Sequence, residues 1–152
     1  MASTLKINTL TGVTTAGSIA VTGEGNSTTT NLQQGLAKAW VNYDSEDQAT
    51  RGSFNQSSLT DNGTGDYTTT YTNNLSGAED KCISVNVWNT TDDGSNASAG
   101  SARGGSRADQ AGDTVQSTSS LNWMSYFGSS ADADAGNFDY DGNYCITHGD
   151  LA

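Results

Sequence analysis

Apolar side chains along this chain recur at every second position far more often than at helical spacing. Ala39, Val41 and Tyr43 point one way with Trp40 opposite, which predicts a strand with one buried face. In DYTTTYT, Tyr67, Thr69 and Tyr71 share a face and Thr68, Thr70 and Thr72 the other, as in a half-buried strand with hydroxyls on its outer side. Lys81 to Trp88 reads as the clearest core strand, with Ile83, Val85 and Val87 against Cys82, Ser84, Asn86 and Trp88. Thr114 to Phe127 returns to strand character, with Leu121, Trp123 and Phe127 opposed to Met124 and Tyr126. A short closing strand carries Tyr144, Cys145 and Ile146. Phe54 and Leu59 belong to a further segment that ends at the turn signal Asp61-Asn62-Gly63-Thr64-Gly65.

Three stretches depart from this pattern. From Asn31 to Ala39, NLQQGLAKA is the one helix candidate: Asn31 can cap it, and Leu32, Leu36 and Ala39 fall at i, i+4 and i+7, although Gly35 weakens it. Residues 89 to 113 hold no aliphatic side chain larger than alanine and predict a long loop or a partly ordered insertion. Residues 1 to 30 alternate in short β-like runs, Leu5, Ile7 and Thr9, then Ile19 and Val21, broken by Gly12 and Gly17 and followed by a polar tract. So few apolar groups cannot support an independent fold, so this segment is expected to be an extended N-terminal β arm for oligomerisation or attachment, through Leu5, Ile7, Leu10, Ile19 and Val21. Residues 31 to 152 then form an all-β, antiparallel β-sandwich module.

Composition turns this into a problem of stability. Thr, Ser, Asn and Gly fill 72 of 152 positions while only 33% are apolar, against ~45–50% in an average soluble domain. A monomer would set a thin core against its conformational entropy, so surface buried between subunits is expected to contribute. Six basic residues, scattered rather than clustered, face 17 acidic ones for a net charge of −11, which argues against nucleic acid and anionic membranes as partners. No apolar run approaches the ~20 residues of a spanning helix. The start, Met-Ala-Ser-Thr-Leu-Lys, lacks the basic and continuous apolar character of a signal peptide, so synthesis and solubility in a cytoplasm are expected.

Catalytic chemistry finds little purchase. His148 is the single histidine available as a base beside a nucleophile, and it reads as an ordinary strand-end residue. Phosphate-binding and dinucleotide glycine motifs are missing. The chain is therefore expected not to be an enzyme and to need no cofactor, with calcium the one open question. In ADADAGNFDYDGNYC, Asp132, Asp134, Asp139 and Asp141 form two Asp-x-Asp pairs near glycine, which either collect oxygen ligands for calcium or make local hydrogen bonds in a hairpin loop. Cys82 and Cys145 are too few for a disulfide framework and read as small buried residues on strands that would bridge only as close neighbours. Trp40, Trp88, Trp123, Tyr126, Tyr140 and Tyr144 are numerous for so polar a chain, so some are expected outside a thin core; Trp88, Trp123, Tyr126 and Tyr140 are the candidates for surface recognition of a glycan or protein, with core packing as the alternative for each.

Several stretches also carry a resemblance. STLKINTLTGVTTAGSIAVTGEGNSTTTNLQQGLAKAWVNYD, GSFNQSSLTDNGTGDYTTTYTNNLS and the closing GDLA resemble a family of tailed-phage virion proteins, tail-fibre-like or virion structural, typical of phages of marine bacteria and cyanobacteria. The most specific elements are Ala37-Lys38-Ala39-Trp40, Ser53-Phe54-Asn55 and the run from Thr60 to Tyr67. The resemblance covers the first half of the chain closely and the last ten residues loosely. It implies a β-sandwich module, often a homotrimer, with an N-terminal arm, other virion proteins as partners, a place in the virion and no catalytic residues. Unlike longer fibres, this chain is almost entirely arm and module, with no repetitive shaft. It thus fits a fibre tip or appendage that contacts the host, or alternatively a capsid decoration protein that stabilises the head.

Overall fold

The computed structural model describes residues 5–12, 19–22, 29–32, 35–88, 101–103, 116–127 and 136–152. They are all-β, with eleven strands and no helix among them, and every pairing is antiparallel. The chain divides into two compact units, Met1–Leu36 and Ala37–Ala152. The expected arm ended at residue 30; the observed division falls six residues later, beyond a short strand over Thr29–Asn31 that belongs to the first unit.

In the first unit, β1 (Ala20–Thr22) pairs with β2 (Thr29–Asn31), and the Leu32 N–H extends the ladder to the Ile19 carbonyl at 2.8 Å. The expected helix from Asn31 does not form. Asn31 pairs with Ala20, Ala39 is drawn into a strand of the second unit, and Gly35 sits in the turn between. One or two helical turns cannot offset their nucleation cost against such pairing. The alternation at Leu5, Ile7 and Thr9 yields no strand either: residues 5–12 have no regular structure, because alternation specifies a face but supplies no partner.

The second unit holds two sheets. One has the order β4-β3-β11-β7, formed by β3 (Ala39–Asp44), β4 (Ala49–Phe54), β7 (Cys82–Trp88) and β11 (Gly142–His148). The other runs through β5 (Gln56–Gly63), β6 (Asp66–Tyr71) and β9 (Ser120–Phe127), with β8 (Ser101–Arg103) and β10 (Gly136–Asn137) both paired to the C-terminal part of β9. The chain crosses from one sheet to the other at Asn55, between β4 and β5, where the backbone takes a left-handed conformation (φ 56°). The Asn55 side chain holds that corner, accepting from the Asn73 N–H at 2.7 Å and donating to the Asn73 carbonyl at 3.0 Å.

Alternation decides which side chains enter the core. Ala39, Val41 and Tyr43 of β3, Val85 of β7 and Cys145 of β11 are buried with Tyr67 and Tyr71 of β6 and Leu121 and Trp123 of β9 in one cluster. Tyr43 meets Tyr67 edge to face at 5.2 Å, and Tyr67 meets Trp123 at 4.7 Å. Leu75 joins this core from a loop fastened to the C-terminal residues, since Ser76 N–H donates to Asp150 and Ala152 N–H to Asn74. β7 stands at the edge of its sheet: Val85 is buried in the core and Ile83 packs against it, Val87 is half-buried, and on one side no described strand is hydrogen-bonded to it, so it contributes less to the core than its alternation suggests. The stretch from 89 to 113, expected to be a long loop or a partly ordered insertion, contains β8, whose Ser, Ala and Arg lack the β-propensity that would reveal a strand; the rest of it lies outside the described residues.

Burial of two tyrosines makes stability pH-dependent. Burial pushes the Tyr71 hydroxyl from 10.0 up to about 12 and moves Tyr67 in the same direction. The protonated phenols favour the folded state fully below pH 10, and that contribution is lost as pH rises through the folded values. The urea midpoint of unfolding is therefore expected to stay level from pH 7 to 9 and to fall steeply between pH 10 and 12. A midpoint unchanged at pH 12 would show that these phenols are not withheld from solvent.

Candidate functional site

The outer faces of the two sheets in the second unit differ sharply. Thr68 and Thr70 of β6, Ser58 and Thr60 of β5 and Asn122 of β9 point outward from the five-stranded sheet, giving the hydroxyl-bearing surface expected from DYTTTYT. Neighbours there bond to one another: Asn122 Nδ2 donates to Asp66 Oδ1 at 2.9 Å, and Asn62 Nδ2 to Thr68 Oγ1 at 2.9 Å. Donors on that face are thus met by neighbouring side chains, although the Asn122 Oδ1 acceptor is buried without a partner.

The four-stranded sheet instead turns aromatic and aliphatic groups outward. Register places Phe54, Trp40, Ile146 and Ser84 in one row across β4, β3, β11 and β7, and Gly52, Asn42, Tyr144 and Asn86 in the next. Trp88 lies one row further along, opposite Gly142. Trp40 is 41% exposed, Phe54 and Trp88 each 52% and Ile146 36%. These positions carry no Asp, Glu, Lys or Arg, although the chain has a net charge of −11. Arg51 and Asp44 form an ion pair at the end of the sheet, where β3 turns into β4.

Both tryptophans lean over a glycine on a neighbouring strand. A methyl group on Gly52 would lie 3.5 Å from Cη2 and Cζ3 of Trp40, and one on Gly142 would lie 3.2 Å from Cβ and Cε3 of Trp88. The tip of the Trp40 indole therefore rests along the sheet rather than standing away from it.

Of the four sequence candidates for recognition, Trp88 lies on this face. Trp123 does not: it is 0% exposed at the centre of the core, and its Nε1–H donates to Thr69 Oγ1 at 2.9 Å. Tyr140 is also buried, with its ring 4.9 Å from Phe138 and its carbonyl receiving Ser45 Oγ and Asn143 Nδ2. In both cases long-range pairing turned the residue inward. The Tyr126 side chain lies outside the described residues. Three others on the face, Trp40, Phe54 and Ile146, are not among the sequence candidates. The signal for Trp40 was present, since it is out of phase with Ala39, Val41 and Tyr43; for Phe54 it was masked by the irregular register at Asn42 and Tyr43, and Ile146 gives no hint from its own chemistry that it faces out.

The proposed arm residues keep their apolar surface. Leu5 is 78% exposed, Ile7, Leu10 and Val21 are also exposed, and Ile19 is half-buried. Among the calcium candidates, Asp139 is engaged locally: its Oδ1 accepts the Gly65 N–H and the Tyr67 hydroxyl, both at 2.7 Å. Asp141 is buried, and Asp132 and Asp134 lie outside the described residues. No group of three or more His, Cys, Asp or Glu side chains among the described residues could hold a metal ion.

Cys82 and Cys145 are free and occupy opposite faces of one sheet. Cys82 is exposed in register with His148, which corrects its reading as a buried residue, whereas Cys145 is buried in register with Val85 and burial pushes its thiol up to about 12. Side chains on opposite faces cannot bridge. One thiol per chain is expected to react with Ellman's reagent under native conditions and two in denaturant; two rapid native equivalents would contradict this placement.

No helix among the described residues is long and apolar enough to cross a membrane. No family model, curated protein or solved structure matches the chain.

Proposed function

We propose that the chain is a structural subunit of a larger assembly, a trimeric β-sandwich module with an N-terminal attachment arm, and that this assembly is the virion of a tailed phage. The observation that carries the assembly reading is where apolar surface remains. Among the described residues, half of the large exposed apolar side chains, Leu5, Ile7, Leu10, Val21 and Leu36, belong to the first 36 residues. Charge follows the same division: the first unit has one lysine and one glutamate and is neutral, so the whole net charge of −11 belongs to the second. Like-charged modules repel at contact, while a neutral apolar segment can seat on a partner without that cost. The two sheets enclosing one core supply the sandwich part of the reading, and the tail-fibre resemblance of the first half of the chain supplies the particle.

Sedimentation equilibrium on the full chain tests the assembly. A trimer is expected, and Leu5→Asp with Ile7→Asp should shift it to monomer while leaving the module folded. A monomeric wild-type chain at tens of micromolar would overturn the reading. Antibody labelling of phage particles then locates the chain: decoration of tail appendages is expected, and label spread over the head would favour the capsid-decoration alternative.

A further inference from the structure

We infer that the outer face of the four-stranded sheet is a stacking platform for an uncharged oligosaccharide chain, with Trp40, Tyr144 and Trp88 as its rings. The inference rests on the reading of the module as a surface-displayed subunit and names what its exposed face would take. Four observations lead to it.

The first is arrangement. Trp40 on β3, Tyr144 on β11 and Trp88 on β7 step one strand across and one row along each time, so they form a diagonal stripe. With strands about 4.8 Å apart and rows about 6.8 Å apart, successive members stand about 8 Å apart at the backbone, within reach of successive sugar rings. The second is orientation. The tip of the Trp40 indole lies against Gly52, where a Cβ would stand 3.5 Å from Cη2 and Cζ3, and Trp40 and Trp88 keep 41% and 52% of their surface exposed, so each leaves indole surface open to solvent. A pyranose stacks on such a face through its axial C–H groups, which carry partial positive charge against the negative ring face. Preorientation removes the rotamer entropy that stacking would otherwise cost.

The third is polarity. Asn42 and Asn86 flank Tyr144 in its own row, one on each neighbouring strand, and both are uncharged donors and acceptors matched to sugar hydroxyls. The stripe carries neither the cation that would select an acidic polymer nor a carboxylate that would select a basic one, and the net charge of −11 repels polyanions. The fourth is size. Trp40, Phe54, Trp88 and Ile146 together expose roughly 400 Å². A standard protein interface buries about 800 Å² per partner, a little over half of it apolar, so the patch is no larger than one such footprint and the double variant below separates a glycan from a second copy.

Affinity electrophoresis of the full chain tests the platform, in native gels containing hydroxyethyl cellulose, laminarin, galactomannan or dextran, with alginate as anionic control. Retardation is expected in at least one neutral polymer and none in alginate. Trp40→Ala combined with Trp88→Ala should weaken that retention at least tenfold, with an unchanged far-ultraviolet circular dichroism spectrum. Migration unaffected by all four neutral polymers would overturn the inference. So would retention that survives the double substitution, or a double variant whose only change is loss of self-association, which would assign the face to a second copy. A wild-type trimer that is retarded by none of the neutral polymers sinks only this inference; a monomeric wild type that still binds glycan sinks only the assembly.

Discussion

Replacing Gly65 by alanine is expected to destabilise the second unit by on the order of 3–5 kcal/mol, a large share of a small domain's stability. Gly65 closes the β5–β6 hairpin with φ +64°, a left-handed conformation that costs an L side chain about 1 kcal/mol by itself. Steric overlap costs more. A methyl group there would overlap the Ser125 carbonyl oxygen and approach the Phe138 nitrogen to 2.7 Å, both of them backbone atoms that cannot rotate aside. Those atoms are themselves tied down, because the Ser125 N–H donates to the Gly65 carbonyl at 2.9 Å and the Phe138 N–H to the Ser125 carbonyl at 3.2 Å. Moving them also disturbs the Gly65 N–H bond to Asp139, which in turn holds the Tyr67 hydroxyl. Gly63 is the matched control: its φ is +131°, but nothing lies within 4 Å of a Cβ placed there. Gly63→Ala should cost only the backbone strain, about 1–2 kcal/mol. Urea denaturation of both variants checks this, and equal losses would refute the packing account of Gly65.

Trp123→Ala is expected to cost about 3–5 kcal/mol, whereas Trp88→Ala should change stability by less than about 0.5 kcal/mol. Trp123 fills the centre between the sheets, touches the Tyr67 ring and satisfies Thr69; truncation leaves a cavity that strand pairing on β6 and β9 prevents from closing, and leaves a buried hydroxyl without its donor. Trp123→Phe separates packing from hydrogen bonding, retaining most of the volume and losing the indole donor, for a smaller cost. Both residues are tryptophans in alternating segments of the sequence, Trp88 at the end of one and Trp123 in the middle of another, so the contrast isolates what burial adds. Comparable losses on Trp88→Ala and Trp123→Ala would mean that Trp88 also supports the core and is not free to receive a ligand.

Much of the second unit was legible in the chain because β3 and β6, which build its core, keep a two-residue alternation. Tyr67, Thr69 and Tyr71 are all buried, and so are Ala39, Val41 and Tyr43, as their spacing requires. Failures came where local pattern and long-range pairing disagree. Asn31 to Ala39 has helical spacing, yet both of its ends are claimed by strands. Ser101–Arg103 has no strand character and becomes β8 only because β9 offers an edge. Phe54 and Leu59, neighbours in one expected segment, belong to different sheets because the chain turns a corner at Asn55.

The candidate site shows the same boundary more sharply. Alternation alone determined which side chains share a face, because that follows from the two-residue repeat of an extended backbone. It placed Trp40 opposite Val41, and Trp88 with Ser84 and Asn86. Tertiary structure decided which of those faces meet one another. Trp40 on β3, Tyr144 on β11 and Trp88 on β7 are brought into one stripe by pairings between segments far apart in the chain, and only the β6–β9 pairing and the facing sheet bury Trp123. A residue's own neighbours in sequence cannot carry that information, since register between distant strands is set by the core they jointly enclose.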